Sequence, residues 1–124
     1  EKRLADKGIH AYALHPGGIQ TNLGRHMTEE DRQWMMSRMR KQAEVSDGKE
    51  QGFKTIPQGA ATTCWVATSD TLAGAGGLYC EDCHVADQDD QDPTGGVRSY
   101  AIDEDSAERL WALSEDLVGE KFAY

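Results

Sequence analysis

The chain has 124 residues, of which 22 are Asp or Glu and 13 are Lys or Arg, for a formal net charge of −9. That sign argues against nucleic acid or an anionic membrane as a partner. It leaves a nucleotide or small-molecule site open, because such a site is local and built largely from backbone. Hydrophobic residues make up 38% and charged residues 28%, the mix of a soluble globular domain, and no apolar run approaches the roughly 20 residues of a membrane helix. Three cysteines cannot all pair within one chain, so a reducing, cytoplasmic setting is the simpler expectation. Glu1–Lys7 carries no apolar core of a signal peptide, and the chain has no initiator Met. A piece cut from a longer protein is therefore expected.

In chain order, residues 1–7 read as the last turns of a helix, with Lys7 suited to its C-terminus and Gly8 to a left-handed cap. Ile9 to Leu14 reads as a strand buried on both faces, as parallel strands are. It stops at Pro16-Gly17-Gly18, and residues 15–27 form a loop. Thr28 is a suitable N-cap ahead of Glu29, Glu30 and Asp31. The helix it opens places Met35, Met36, Met39 and Ala43 on one face. Residues 46–52 form a flexible break. A second helix starts near Pro57, since Pro fits a first turn, and runs to Ala67. Its small residues allow close packing on a sheet. Gly74–Gly77 is a turn, Leu78-Tyr79-Cys80 a short strand, and residues 87–96 an acidic loop. The last helix spans about 105–118. Asp105 and Glu108 have capping-box spacing, Gly119 serves as a stop, and Ala107, Leu110, Trp111, Leu117 and Val118 fall on one face.

A strand, a helical excursion and a second strand in this order form a right-handed parallel crossover almost without exception. Two parallel strands are not self-sufficient, because both faces and both edges need cover. The expected fold class is α/β: the C-terminal portion of a doubly wound, parallel-sheet (Rossmann-type) domain, incomplete, with residues 1–124 forming part of one domain.

Four segments carry a resemblance. They are Gly8-Ile9 through Asn22-Leu23, including His15-Pro16-Gly17 and Thr21-Asn22; Lys54-Thr55 through Gln58-Gly59-Ala60-Ala61-Thr62; Gly74 through Tyr79, continuing to Glu81-Asp82-Cys83; and Ala107-Glu108 with Leu110-Trp111 and Ser114-Glu115. In this order they resemble the C-terminal half of the short-chain dehydrogenase/reductases, in particular the retinol-dehydrogenase and WW-domain-oxidoreductase-like branch. The resemblance implies that Ile9–Leu14 is the sixth strand of the family's sheet and Leu78–Cys80 the seventh, paired beside it. It also implies that Pro16, Gly17, Gly18, Ile19 and Thr21 hold the nicotinamide end of NAD or NADP. In that arrangement the Ile19 backbone meets the carboxamide, and the Thr21 hydroxyl bonds the carboxamide or a nearby phosphate. Gly17 and Gly18 keep side chains off the ring, and Pro16 shapes the turn without adding a donor. Residues 28–53 correspond to the family's substrate flap, where Trp34, Met35 and Met39, with Met36 alongside, suit a variable apolar substrate; the plainer reading is an amphipathic helix packing on the domain.

The family's Gly-rich phosphate loop, its catalytic Ser and Asn, and its Tyr-x-x-x-Lys all fall upstream of the matched segments, so no catalytic residue is expected among these 124. The implied activity is NAD(P)-dependent interconversion of an alcohol and a carbonyl, with the Tyr as acid/base. The isolated chain would supply only one wall of that site and would be inactive. The resemblance is compatible with an oligomer. A non-catalytic interaction module or pseudoenzyme fragment is the alternative reading.

Three other signals compete. Cys80-Glu81-Asp82-Cys83-His84 matches the C-x-x-C-H pattern of c-type haem attachment. Cys80, however, sits inside an apolar strand and no export signal is present. The same residues supply three zinc ligands where four are needed. The acidic run starting at Asp90 has nearly calcium-loop spacing, but Ala101 stands where a bidentate Glu belongs. No metal site is expected, and the run reads as a solvated loop. Among the histidines, His15 is expected to support the cofactor loop, His10 to be a satisfied strand residue, and His26 and His84 to be exposed.

Overall fold

The structure, a computed structural model, describes residues 1–45, 52–92 and 95–123, without the side chains of residues 42, 43 and 45. The break expected at 46–52 thus lies outside the described residues except for Gly52, as do the side chain of Ala43 and residues 93–94 of the acidic loop.

Strand β1, Tyr12–His15, lies parallel to β2, Leu78–Glu81, in register from Tyr12 opposite Leu78 to His15 opposite Glu81. Between them the chain passes through helices α1, Glu29–Val45, and α2, Ile56–Thr68. A third strand, β3, His84–Val85, pairs antiparallel to β2, giving the order β1-β2-β3. The sheet is therefore mixed, a correction to the wholly parallel expectation. The cause is the two-residue link Asp82-Cys83. Both residues have positive φ, 47° and 60°, as a tight hairpin turn of type I′ requires, and a link that short can only reverse the strand.

The burial of β1 also differs from expectation. Tyr12 and Leu14 are half-buried while Ala13 and His15 are exposed. Helix α2 packs against β1 and β2 from one side, and the far edge of β1 has no partner strand among the described residues. An open groove of about 470 Å³ runs between His10, Tyr12 and Leu14 on one side and Val66 and Ala67 of α2 on the other. It continues to Leu72 and Gly74, which precede β2, so it lies towards the amino ends of the strands.

Local signals set the helix boundaries. Thr55 caps α2 through a reciprocal box: Gln58 N–H donates to the Thr55 hydroxyl, and Thr55 N–H donates to the Gln58 carboxamide at 2.9 Å. Pro57 sits in the first turn, as expected. Thr28 and Asp31 make the same exchange at the start of α1. The Thr28 hydroxyl and N–H both donate to the Asp31 carboxylate and hold its pKa below the ordinary value. Helix α3, Glu104–Val118, is capped by Asp103 and not by Asp105; Asp105 N–H donates to Asp103 at 3.0 Å. The N-cap lies two residues earlier than the spacing of Asp105 and Glu108 indicated, and the carboxylate at the true N-cap takes the orphan donor. Gly119, at φ 71°, ends α3. The expected leading helix is a short 3-10 turn, Ala5–Lys7, closed by left-handed Gly8.

The core is small. Leu72, Cys80, Ala86, Val97 and Thr62 are buried. The apolar face read on α3 is open: Leu110 is 64% exposed, Leu117 78% and Val118 66%. Trp111 is the half-buried member of that face, under the Arg3 guanidinium at 4.6 Å and edge-on to Phe122.

The acidic loop is organised from within. The Arg98 guanidinium donates to the carbonyl oxygens of Asp89, Asp92 and Gly95. The Asp89 carboxylate accepts the N–H groups of Gln91 and Asp92, which keeps its pKa below the ordinary value. A side-chain cation thus occupies the centre of the carbonyl cluster, and Gly96 N–H ties the loop to Glu81 at 2.8 Å.

Candidate functional site

The parallel strands β1 and β2 both end where the chain turns: β1 into Pro16-Gly17, β2 into Asp82-Cys83. Ligand crevices of open α/β sheets lie at these carboxyl ends. Gly17 has φ 88°, a conformation that favours glycine. Its N–H donates to His15 Nδ1 at 3.3 Å, which gives His15 the supporting role read from its position.

The loop is tied to the segment that opens α2. Lys54 N–H donates to the Gly18 carbonyl at 2.8 Å, and Ile19 forms an isolated parallel bridge with Lys54. In extended backbone the N–H and C=O of successive residues point to opposite edges. With Gly18 engaged by Lys54, the Ile19 N–H and C=O face away, and neither has a partner among the described residues. The Ile19 side chain packs on α2 at Gly59, where a Cβ would come within 2.5 Å of Ile19 Cγ1. Thr21 is exposed, and its hydroxyl accepts the Leu23 N–H at 3.2 Å, capping a 3-10 turn over Asn22–His26. Pro16 is half-buried and Gly18 exposed.

Lys54, Asp82 and Gly59 shape this site, and the sequence reading gave them no role. Lys54 and Asp82 form an ion pair, and the Lys54 stem lies across Gly17. Both stand in segments that carry the resemblance, and their opposite charges were the available signal.

The residues expected to form a substrate flap lie apart from this loop in sequence, on α1. Met35 and Met39, four residues apart, are half-buried, while Met36 is 48% and Trp34 62% exposed. The buried stripe is thus narrower than the expected face. The Arg38 guanidinium lies 5.2 Å from the centre of the Trp34 ring.

Cys80 is fully buried on β2, which raises its thiol pKa. Cys83 and His84 are exposed on the hairpin. His26 is exposed, and His10 is satisfied by Glu1 at 2.9 Å. Among the described residues no group of three His, Cys, Asp or Glu is placed to hold a metal, and no helix is long and apolar enough to cross a membrane.

Comparison with known proteins adds to this geometry. The chain is 37% identical over 117 residues to the short-chain dehydrogenase/reductase prx1 of Penicillium rubens, covering 92% of this chain and 32% of that protein. It is 38% identical over 119 residues to a probable oxidoreductase of Streptomyces antibioticus, covering 94% and 39%. It is 31% identical over 118 residues to human retinol dehydrogenase 11, covering 95% and 30%. No family profile and no solved structure matches. Over most of its length the chain is similar to short-chain dehydrogenase/reductases, and it spans about a third of the length of the curated relatives it matches.

Proposed function

We propose that this chain is the trailing part of an NAD(P)-dependent short-chain oxidoreductase that interconverts an alcohol and a carbonyl. The carrying observation is a turn at the carboxyl end of a parallel strand, exposed and without a side chain at Gly18, with the Ile19 N–H and C=O unpaired among the described residues. A carboxamide needs one donor and one acceptor beside it, so these groups fit the nicotinamide end of NAD or NADP. The dinucleotide supplies hydride transfer when bound. Gly17 makes room for the Lys54 stem, Gly18 allows close approach, Ile19 orients the ring, and Thr21 contributes a hydroxyl whose lone pairs are shared with the Leu23 N–H. Met35 and Met39, with Trp34, face the apolar part of a small-molecule substrate in this reading. Placement in the retinol-dehydrogenase and WW-domain-oxidoreductase-like branch, and a cytoplasmic location, belong to the same proposal.

The far edge of β1, unpartnered among the described residues, and the exposed apolar face of α3 support the view that both are covered in the larger domain. That domain would be the doubly wound sheet expected from the sequence. The proton-handling Tyr and Lys, and the phosphate-binding glycines, come from outside these 124 residues, so the chain alone does not catalyse the reaction.

The test uses the product of the complete reading frame that contains this chain. NAD(P)H consumption with small aldehydes and ketones supports the proposal. A product that carries this segment and neither binds nor oxidises NAD(P)H refutes it and favours the non-catalytic interaction module.

A further inference from the structure

The candidate loop is made of residues with little conformational preference of their own, Gly17 and Gly18, and it follows a strand whose far edge has no partner among the described residues. Something else must fix it. We propose that Lys54 and Asp82 form a positioning clamp that holds the Gly17–Ile19 backbone for the nicotinamide end of the cofactor; this rests on the NAD(P) reading above.

Lys54 grips the loop twice. Its N–H donates to the Gly18 carbonyl at 2.8 Å. Its side chain lies so close over Gly17 that a Cβ there would stand 2.7 Å from Cδ and Cε. The ammonium then reaches across to Asp82 at the tip of the β2–β3 hairpin. The loop, the entry to α2 and the hairpin are joined at this one side chain.

The far end of the clamp is strained. Asp82 and Cys83 have φ of 47° and 60°, where non-glycine residues meet a steric penalty. Asp tolerates that region, whereas the second position of such a turn is ordinarily glycine. The turn is held by Thr62 of α2, which is 1% exposed and whose hydroxyl accepts the Cys83 N–H at 3.3 Å. Strained turns persist where the surroundings over-determine them, and they cluster at functional sites. Here the turn sets the Asp82 carboxylate against the Lys54 ammonium.

Stability does not account for the pair. The Lys54 and Asp82 side chains are 28% and 57% exposed, and ion pairs this open contribute little to folding. Its effect is to narrow the ensemble of the glycine turn. A ligand that needs one member of a broad ensemble binds in proportion to that member's population. Loss of the clamp therefore weakens cofactor binding and leaves the chemistry of the bound state alone.

The experiment uses the product of the complete reading frame, with Asp82→Asn, Lys54→Met, the double variant and Lys54→Arg. Lys54→Met keeps the apolar stem over Gly17 and removes the charge. Each single change is expected to raise KM for NAD(P) about three- to fivefold, the most a pair this open can shift the turn's population, and the double variant no further, because the two residues act as one unit. Lys54→Arg stays within about twofold of wild type, as do kcat and the KM for the carbonyl substrate in all variants. A structural role alone would lower the melting temperature without separating the two KM values. A second readout is independent of turnover: hydrogen exchange of the residue 54 amide, expected about three- to fivefold faster in Asp82→Asn than in wild type. Unchanged exchange, or an unchanged cofactor KM in Asp82→Asn, overturns the proposal. Wild-type protein that neither binds nor uses NAD(P) refutes the functional reading and with it the cofactor role, while the exchange rates still decide whether the clamp fixes the loop.

Discussion

Replacing Gly59 by Ala pits helix propensity against packing at the candidate site. Inside a helix the change ordinarily stabilises by about 0.8–1 kcal/mol, because glycine carries the larger entropic cost. Gly59 is buried on α2, and its new Cβ would stand 2.5 Å from Ile19 Cγ1 and 2.7 Å from Cδ1. Ordinary carbon–carbon contacts begin near 3.5 Å, so Ile19 must withdraw by about 1 Å. Ile19 is β-branched and stiff at χ1, which leaves the backbone of residues 18–20 to absorb the shift. Overpacking of this kind costs about 1–3 kcal/mol, so the net expectation is destabilisation by about 1 kcal/mol. The same displacement moves the Ile19 N–H and C=O, and KM for NAD(P) rises about tenfold, a modest share of what a 1 Å misplacement can cost. Urea unfolding and steady-state kinetics on the product of the complete reading frame measure both. Adding Ile19→Ala removes the clashing atoms and is expected to erase the packing part of the penalty. A Gly59→Ala protein as stable as wild type, with an unchanged cofactor KM, refutes the reasoning.

Four further outcomes follow from particular residues. Thr21→Ala removes both the cap on Leu23 and the proposed cofactor hydroxyl, so it raises the cofactor KM, whereas Thr21→Ser keeps both; equal KM values for the two variants count against the role. Thr62→Val leaves the Cys83 N–H without its partner in a part-buried position, a cost of about 1–3 kcal/mol, read as a lower urea midpoint; an unchanged midpoint contradicts it. Asp103 has its pKa lowered, first by the Ser106 hydroxyl. Its capping contribution is therefore complete above the ordinary carboxylate pKa of about 3.9 and fades as pH falls through the lowered value. Far-UV circular dichroism should lose more helix on that acid limb in wild type than in Asp103→Asn, where only the Asp31 contribution at the start of α1 still fades, and identical curves would sink the assignment. The 124-residue chain alone is expected to show no NAD(P) binding by calorimetry, and micromolar binding would contradict the view that most of the cofactor site lies outside it.

Much of the fold was legible because the signals are local. Thr28, Pro57 and Gly119 mark helix ends through hydrogen bonds and φ values that need no distant partner, and the structure has helix boundaries at all three. Adjacent pairing of Ile9–Leu14 and Leu78–Cys80 was implied by the family resemblance, and β1 and β2 pair in parallel, although β1 starts three residues later than expected, at Tyr12, and both strands end one residue later. Less legible features depend on tertiary context. Strand β3 hangs on a hairpin whose second turn residue is Cys83 in place of glycine, so its turn signal is weak. Two-sided burial of β1 assumed cover that the described residues do not provide. Asp105 has the spacing of a capping residue, but Asp103 lies at the actual entry to α3. At the candidate site, Pro16–Thr21 stood out as a turn after an apolar strand. The Lys54–Asp82 bridge did not, because residues 28 positions apart meet only once the crossover has closed.

The central claim is that the Ile19 backbone receives the nicotinamide end of NAD(P). Its most direct measurement is an NMR titration of the complete protein, labelled with ¹⁵N, with NAD(P) and separately with the adenosine half of the cofactor. The account predicts that the Gly18 and Ile19 amides shift with the whole dinucleotide and stay put with the adenosine half. Saturable binding of the dinucleotide with both amides unmoved would contradict it.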